Sequence, residues 1–543
     1  MCVHNVSFFA QELTLKLQTI DSTAQSVLSQ LSFQKVHNSP KTLFSEIDSI
    51  QKNLQQQGYF TATHTNTHKK ENTYVAWFSL GKQTTSAAFI FSESLAEMLR
   101  QKESTTKVLE IPTTQIASFL KKTSDQLDQH GYSFAKVQLT DIHIRDNTLF
   151  ATVTATQPKK RTIDRVLVKG YNDFPVSFVL NYLKTKDQPV FSSQKLRAIA
   201  EAIETIPFVS QIKPPEVLFK KDSTLLYVFL NKQSNNSIDG LLHFTSKESG
   251  KGIAVHGHID LQLQNTLHKG ETFSIHWKKE GNEQQDFTIS TTIPYVFQSP
   301  ISTEFSFGLF KKDSSFLSTR FDGKLHYAKN AKTKIGITYN YTNSESNEAP
   351  GNFASFHSNF IGLQYQITQP THDVFFNNHF TSNLQVSFGK RTLTHTQVSN
   401  NQISAAATIS YLWKIHQRHA FFLKSNTRIL WTDTLVANEL FRIGGFQDLR
   451  GFNEQSIAAS RYTIATIEYR YQTNANAYFY TFSDLGRAQL FSKKQETFYS
   501  LGLGYTTLFK SSKITVGYAL GKTSETSFST KQAKVLLQLI SFF

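Results

Sequence analysis

A chain of 543 residues is too long for one ordinary domain, and its single cysteine excludes a disulfide framework within the chain. Helical membrane insertion is also excluded, because no apolar run approaches the roughly 20 residues that a spanning helix needs. The net charge of +16 comes from scattered lysines and arginines, without a basic helix face or zinc-ligand spacing. Composition therefore predicts a basic surface suited to anionic lipid, and no nucleic-acid partner.

The first eleven residues, MCVHNVSFFAQ, resemble the end of a secretory signal peptide whose charged region is missing. We expect residues 1–11 to be the remnant of such an export signal. Because no complete signal is visible, export is inferred from the rest of the chain.

Residues 12–235 combine short strands with amphipathic helices. The helix predicted over 40–57 has apolar residues at helical spacing and ends at Gly58, a favourable C-cap residue. A second helix, predicted from about residue 113, ends in the same way at Gly131. The two glycines are 131 − 58 = 73 residues apart, which indicates tandem copies of one small α/β unit.

A third copy is predicted to open with the strand 163–170 and to contain helices near 174–185 and 192–206. Its second helix ends in Ile206-Pro207-Phe208 instead of Gly-Tyr, so this junction differs from the other two. We predict three units with boundaries 12–84, 85–160 and 161–235. For the first two, a set of unrelated α/β domains is the alternative.

From about residue 236 the pattern changes to long runs of alternating apolar and polar residues. Ile335, Ile337, Tyr339 and Tyr341 alternate with small or polar residues, and the stretch 499–505 behaves in the same way. Strands of soluble sandwiches average about 5–6 residues, whereas these repeats are about twice as long. Alternation over such lengths is typical of a membrane barrel with lipid outside and water inside.

We count sixteen strands in this part of the chain. The 543 − 238 + 1 = 306 residues give about 19 residues for each strand and connection, and an even number suits a barrel made from one chain. The predicted fold class is therefore α+β repeats followed by a transmembrane antiparallel β-barrel of 16 strands, over residues 236–543.

The segment Phe441–Phe452 lies between two long predicted strands, 418–432 and 460–474. Gly444 and Gly445 permit sharp backbone bends, and Arg450 carries a permanent positive charge. Two acidic residues, Glu468 and Asp484, follow on the next two predicted strands.

These residues carry a family resemblance. The tetrapeptide Leu449-Arg450-Gly451-Phe452 is similar to the (V/I)-R-G-(F/Y) signature of the BamA/TamA family of outer-membrane assembly factors, although Leu449 replaces the usual β-branched residue. The sequence Phe482-x-Asp484-x-Gly486 resembles the matching motif on that family's barrel wall. For Arg-Gly-Phe alone, a surface hairpin loop is the plain alternative.

The resemblance implies that the three α/β units are POTRA domains and that the loop 433–459 folds into the barrel. There Arg450 would meet Glu468 and Asp484. Alternation independently places Glu468 on the lumen side, because Ile467 and Tyr469 form the apolar face of the same strand.

The last predicted strand alternates Val535, Leu537 and Leu539 and ends in an aromatic residue, Phe543. A closing strand of this kind resembles the β-signal by which outer-membrane barrels are recognised. By itself this signal is weak, since any C-terminal strand may end in phenylalanine.

The sequence predicts no enzyme: no catalytic set, cofactor site or metal site is recognised. The predicted function is the assembly of unfolded barrel proteins in the outer membrane of a Gram-negative bacterium, with the N-terminal domains in the periplasm. The alternatives are a secretion pore for one exported partner and a structural or receptor barrel. The predicted partners are unfolded outer-membrane proteins or one exported client, outer-membrane lipid, and accessory periplasmic proteins or lipoproteins.

Overall fold

The computed structural model describes residues 12–21, 24–100, 107–233, 235–246, 253–280, 284–347, 352–371, 375–376 and 378–543. The predicted remnant of the export signal, 1–11, lies outside these residues. The chain divides into two compact units, one with residues up to 163 together with 190–196, the other with 164–189 and 197–543. Among the described helices, none combines the length and the apolar character required to cross a membrane.

The first compact unit begins with a four-stranded sheet in the order β2-β1-β4-β3, in which β1 and β4 are parallel. Its elements are β1 Leu13–Thr19, α1 Gln25–Gln30, β2 Val36–His37, α2 Pro40–Gln56, β3 Thr63–Lys70 and β4 Thr73–Ser79. The hydroxyl of Ser39 caps α2, which buries Leu43, Ile47, Ile50 and Leu54 against the sheet. Gly58 follows with φ +96°, where a Cβ would lie 2.1 Å from the carbonyl oxygen of Thr84.

A second sheet repeats this arrangement in the order β6-β5-β8-β7. Its elements are β5 Ser86–Phe91, α3 Glu93–Leu99, β6 Leu109–Pro112, α4 Ile116–Gln129, β7 Val137–Arg145 and β8 Thr148–Ala155. Gly131 follows α4 with φ +94°, just as Gly58 follows α2. The two sheets thus share one order of elements and one kind of helix end.

The third sheet has the order β10-β11-β9. Its elements are β9 Arg165–Lys169, α5 Val176–Tyr182, α6 Ser193–Ile203, β10 Val209–Phe219 and β11 Thr224–Lys232. Within the second compact unit, the ring of Phe178 on α5 packs against Tyr295 in a turn of the barrel, 5.4 Å between centroids. Tyr182 stacks on the same Phe178 ring, 5.3 Å between centroids, and burial raises the pKa of the Tyr182 and Tyr295 hydroxyls.

The rest of the second compact unit is a closed antiparallel barrel. Its sixteen long strands are β12 Ser237–Ser246, β13 Ile253–Gln264, β14 Thr272–Glu280, β15 Gln284–Ile293, β16 Ile301–Lys312, β17 Phe316–Asn330, β18 Thr333–Ser346, β19 Phe356–Pro370, β20 Asn378–Leu393, β21 Ser399–His416, β22 His419–Trp431, β24 Ile457–Asn474, β25 Ala477–Leu490, β26 Gln495–Phe509, β27 Ser512–Thr523 and β28 Lys534–Phe542. A short segment, β23 Phe441–Ile443, pairs with the beginning of β24, while β22 and β24 pair directly.

Alternation separates the two faces of the barrel wall. On β18, the side chains of Ile335, Ile337 and Tyr339 are exposed on the outside, whereas Thr338 is buried on the lumen side. Apolar side chains on the outer face and polar ones inside are the arrangement that a lipid environment requires. The predicted fold class, mixed α/β repeats followed by a 16-stranded barrel, is confirmed.

Candidate functional site

The loop between β22 and β24 doubles back on itself. After the β23 pairing with β24, Gly444 and Gly445 adopt φ +118° and +96°, and a Cβ at Gly444 would lie 2.3 Å from the carbonyl oxygen of Asn453. An isolated bridge joins Gly445 to Leu449. These positions therefore demand glycine, and the tight turn that they permit delivers Arg450 to the barrel wall.

Arg450 contacts both of the carboxylates that the sequence singled out. Its Nε and Nη2 donate to the two oxygens of Asp484 at 2.9 and 2.6 Å, and its Nη1 donates to Oε1 of Glu468 at 2.5 Å. The backbone N–H of Arg450 also donates to Asp484. A planar guanidinium that engages a carboxylate with two parallel bonds fixes direction as well as distance, which a point charge cannot do.

A second cation, Arg470 on β24, completes the cluster. Its Nε and Nη2 donate to Oε2 of Glu468 at 2.8 and 2.5 Å. The exposed fractions are 8% for Arg450, 8% for Glu468 and 1% for Asp484. The two arginines therefore neutralise the two carboxylates at a site that is largely shielded from water. Sequence reasoning missed this role of Arg470, although alternation placed it on the lumen side beside Glu468.

Neutral groups hold the same contacts from the sides. The hydroxyl of Thr466 donates to Asp484 at 2.9 Å, and the ring of Phe482 lies 3.5 Å from the guanidinium carbon of Arg450. Cation–π contact of this kind is stronger where water is excluded. Both residues lie on the lumen face of β24 and β25, so the barrel wall presents a preformed receptor for the arginine.

The residues that flank Arg450 pack tightly. Leu449 is fully buried in a cluster with Ile443, Ala459, Tyr462, Ile464, Ala488 and Phe498. Gly486 makes room for it, since a Cβ there would lie 3.3 Å from a Leu449 methyl group. Gly451 has φ +85°, and a Cβ on it would lie 2.6 Å from the backbone nitrogen of Gly521 on β27. Phe452 meets the ring of Phe498 edge-on at 5.4 Å.

The loop also reaches the opposite wall. The amide of Gln455 donates to Asp286 on β15 at 3.0 Å and accepts from Gln284 at 3.0 Å. Next to it, Glu454 lies 3.5 Å from Nζ of Lys278 on β14. The loop therefore crosses the lumen from β24 and β25 to β14 and β15.

A second buried arginine holds the beginning of the loop, and no motif or spacing in the sequence points to it. Arg391 on β20 is fully buried and donates to Glu439 at 2.6 Å and to the hydroxyl of Thr434 at 2.6 Å. Gln402 donates to the other oxygen of Glu439 at 3.0 Å. Because these residues are 37 to 48 positions apart, only the register of the strands brings them together.

The closing strand β28 contains Val535, Leu537 and Leu539, three of the residues in the predicted β-signal. Their side chains are exposed on the outer face of the barrel. Phe543 follows the strand, and its N–H donates to the carbonyl of Asn236 at 3.0 Å. The seam between β28 and the first strand is short: it comprises the pairs Ser237↔Phe542, Ile238↔Ser541 and Asp239↔Ile540.

The chain was compared with protein-family models and with known structures, and both comparisons found similar proteins. Residues 265–525 match the model of the Omp85 superfamily domain. The chain is similar to CdiB from Acinetobacter baumannii (TM-score 0.54, 11% identity, 92% of this chain and 97% of that chain) and to CdiB from Escherichia coli (0.53, 12%, 97% and 100%). BamA from Haemophilus ducreyi lacking POTRA domains 1-3 aligns with TM-score 0.46 at 12% identity over 84% of this chain and 99% of that one. No curated protein matches the sequence. At such identities, the likeness to the two CdiB structures shows a shared fold.

Proposed function

We propose, for a chain that carries an Omp85 superfamily domain over residues 265–525, that it assembles or inserts client proteins in the outer membrane of a Gram-negative bacterium. The domain confirms the resemblance predicted from residues 449–452 and 482–486. In this proposal the three α/β units are POTRA-like domains that receive unfolded barrel proteins in the periplasm, and the barrel then helps the clients into the bilayer.

The short seam is the observation that carries this proposal. Three residue pairs join β12 to β28, whereas twelve join β18 to β19. Among the described residues, 240–246 of β12 and 534–539 of β28 lie beyond these pairs at the seam. Backbone groups without partners are costly in lipid, so such an edge favours pairing with a further strand. A client strand supplies that partner.

An edge in the second α/β unit supports client capture before insertion. The strand β6 is an edge strand of its sheet, and beside it lies a cavity of about 580 Å³. Its lining is partly apolar and partly polar or charged, with Phe89, Phe91, Phe119, Leu109 and Ile111 beside Lys107, Gln115, Ser118, Lys122, Thr123 and Gln126. In strand addition, an edge supplies the backbone hydrogen bonds and a neighbouring apolar groove accommodates alternate side chains. An unfolded barrel protein suits such a site, because its strands offer backbone groups to the edge and alternate apolar side chains with polar ones.

A disulfide across the seam tests the proposal. Ile238 and Ser541 are directly opposite, and paired strand positions have Cα separations of about 4.5–5.5 Å, which suit a disulfide. In a background without Cys2, the Ile238→Cys/Ser541→Cys protein should lose client assembly when oxidised and regain it on reduction. The control is Ser387→Cys/Ser404→Cys, a pair across the long β20–β21 interface, which should assemble clients in both states.

Proteomics of the outer membrane after depletion distinguishes the insertase from the secretion pore. Broad loss of barrel proteins supports an assembly function. Loss of a single exported protein, together with normal export through the oxidised seam, would contradict it and favour a pore that uses the lumen.

A further inference from the structure

Two aspartates face each other beside the seam. Asp239 on β12 is the direct cross-strand partner of Asp260 on β13, within a continuous register of ten pairs. Like charges at such positions destabilise a sheet. Asp239 is moreover buried, with 7% of its surface exposed, whereas the Asp260 side chain is 42% exposed, so water screens the repulsion from the Asp260 side only. A positive charge close to both carboxylates would offset this repulsion.

Histidines surround the two carboxylates. Nε2 of His258 on β13 lies 3.2 Å from Oδ1 of Asp239. His276 lies on β14 and is the cross-strand partner of Asp260. A hydrogen bond joins its Nδ1 to Oδ1 of Asp260. One potential ligand atom from each of Asp239, His258 and Asp260 lies within 4.8 Å of the others. Two ligands of one four-coordinate Zn²⁺ ion lie about 3.4 Å apart, because each bond is about 2.0–2.2 Å long and the angle between the bonds is tetrahedral. The three side chains must therefore rotate toward one another by about an ångström or more to bring their ligand atoms around one ion.

We propose that Asp239, His258 and Asp260 bind one Zn²⁺ ion on the lumen side of the first two barrel strands. Imidazole nitrogen with carboxylate oxygen is a ligand set that zinc accepts, and three protein ligands leave the fourth position to water. His276 orients Asp260 through its hydrogen bond, as a residue next to a metal ligand commonly does. The ion adds a fixed positive charge between the opposed aspartates, beside the histidines that pair with them.

The position of this ion ties it to the seam. The second oxygen of Asp239, Oδ2, accepts a hydrogen bond from Nε2 of Gln538 on β28 at 2.7 Å. An ion held between Asp239 and Asp260 fixes β12 to β13 and also fixes the carboxylate that reaches across to the last strand. Zinc binding itself does not depend on the proposed assembly function, whereas any effect of zinc on seam opening rests on it.

Zinc binding is measured on the full chain in detergent micelles, after removal of metal with EDTA. Titration calorimetry with ZnCl₂ should show one ion per chain, and the thermal unfolding midpoint should rise by several degrees when zinc is added. His258→Gln and Asp260→Asn should each weaken zinc binding at least tenfold. His326→Gln is the control, because His326 is another buried lumen histidine that bonds to Gln364 and lies on β17; this variant should bind zinc like the parent.

A second measurement separates a metal site from hydrogen-bonded histidine–aspartate pairs. Without metal, Asp260→Asn should unfold at a higher temperature than the parent, because the repulsion with Asp239 is gone, and zinc should raise its midpoint less than it raises that of the parent. A parent protein that binds no zinc overturns the proposal. Unchanged binding in both His258→Gln and Asp260→Asn, or an equal loss in His326→Gln, overturns the assignment of the ligands.

Discussion

Removal of the Arg450 side chain should destabilise the barrel and release the loop. In the parent, Arg450 and Arg470 balance Glu468 and Asp484, so the charges sum to 2 − 2 = 0; Arg450→Ala leaves the cluster at −1. Loss of one partner of a buried pair costs about 3–5 kcal/mol. Arg470 still neutralises Glu468, and Asp484 keeps the Thr466 hydroxyl, so we expect a loss near the lower end, about 3 kcal/mol.

Substitution by lysine should recover part of this loss. A lysine restores the charge, but it cannot form the two parallel bonds that Arg450 makes with Asp484. The matched control is Arg461→Ala near the same loop, where the arginine is exposed and bonds to the neutral amide of Gln489. Its effect should stay within about 0.5 kcal/mol. For each variant, the temperature of unfolding is measured from the loss of the folded band in heat-modifiable gel electrophoresis.

A mutant cycle tests whether the charges act as one unit. When Arg450→Ala is combined with Glu468→Gln and Asp484→Asn, the total loss should be smaller than the sum of the separate losses, with a coupling of about 0.5–3 kcal/mol. The reason is that the neutral amides no longer need a cation. Strict additivity, or an Arg450→Ala protein with parental stability and client assembly, would refute the docking of the loop as the source of stability.

Three further predictions concern the loop, the seam and the N-terminal units. Gly451→Ala should cost about 1–3 kcal/mol, because it forces a Cβ against β27 at positive φ, whereas Gly323→Ala, with no atom nearer than 3.8 Å, should be tolerated; equal midpoints would contradict this. Deletion of Phe542 and Phe543 removes one of three seam pairs and should impair formation of the heat-modifiable barrel, and normal folding would count against a β-signal there. The fragment 12–235 should be soluble without detergent and show a mixed α/β circular dichroism spectrum; an aggregated or purely β product would argue against the division at about 236.

Much of the fold could be predicted because its signals are local. The helical spacing in 40–57 predicts the helix that the structure shows at Pro40–Gln56, and alternation predicts the long barrel strands. The short helices α1 and α3, with 6 and 7 residues, gave no comparable signal, because so few residues complete less than two turns. Their ends depend on packing against the sheets more than on spacing.

The candidate site likewise contains residues that could be predicted from the sequence and contacts that could not. Arg450, Glu468 and Asp484 were found because a motif and an alternation rule each point to them. The contacts of Arg391 with Glu439 and of Asp239 with Asp260 could not be predicted, because they depend on the register between strands. A shift of one residue would turn either aspartate to the lipid side, and the sequence alone does not fix that register.

The crossing of the lumen by the loop has a mechanical consequence. The loop is fastened to β24 and β25 by the charged, paired bonds of Arg450, and its beginning is fastened to β20 by the bonds of Glu439 with Arg391. It meets β14 and β15 through the amide of Gln455 and the 3.5 Å contact of Glu454 with Lys278. Under a force that parts the seam, the weaker fastening gives way first. The contacts with β14 and β15 then part first, and the loop stays with β24 and β25 while the arginine cluster remains intact; β15 keeps its ten pairs with β16.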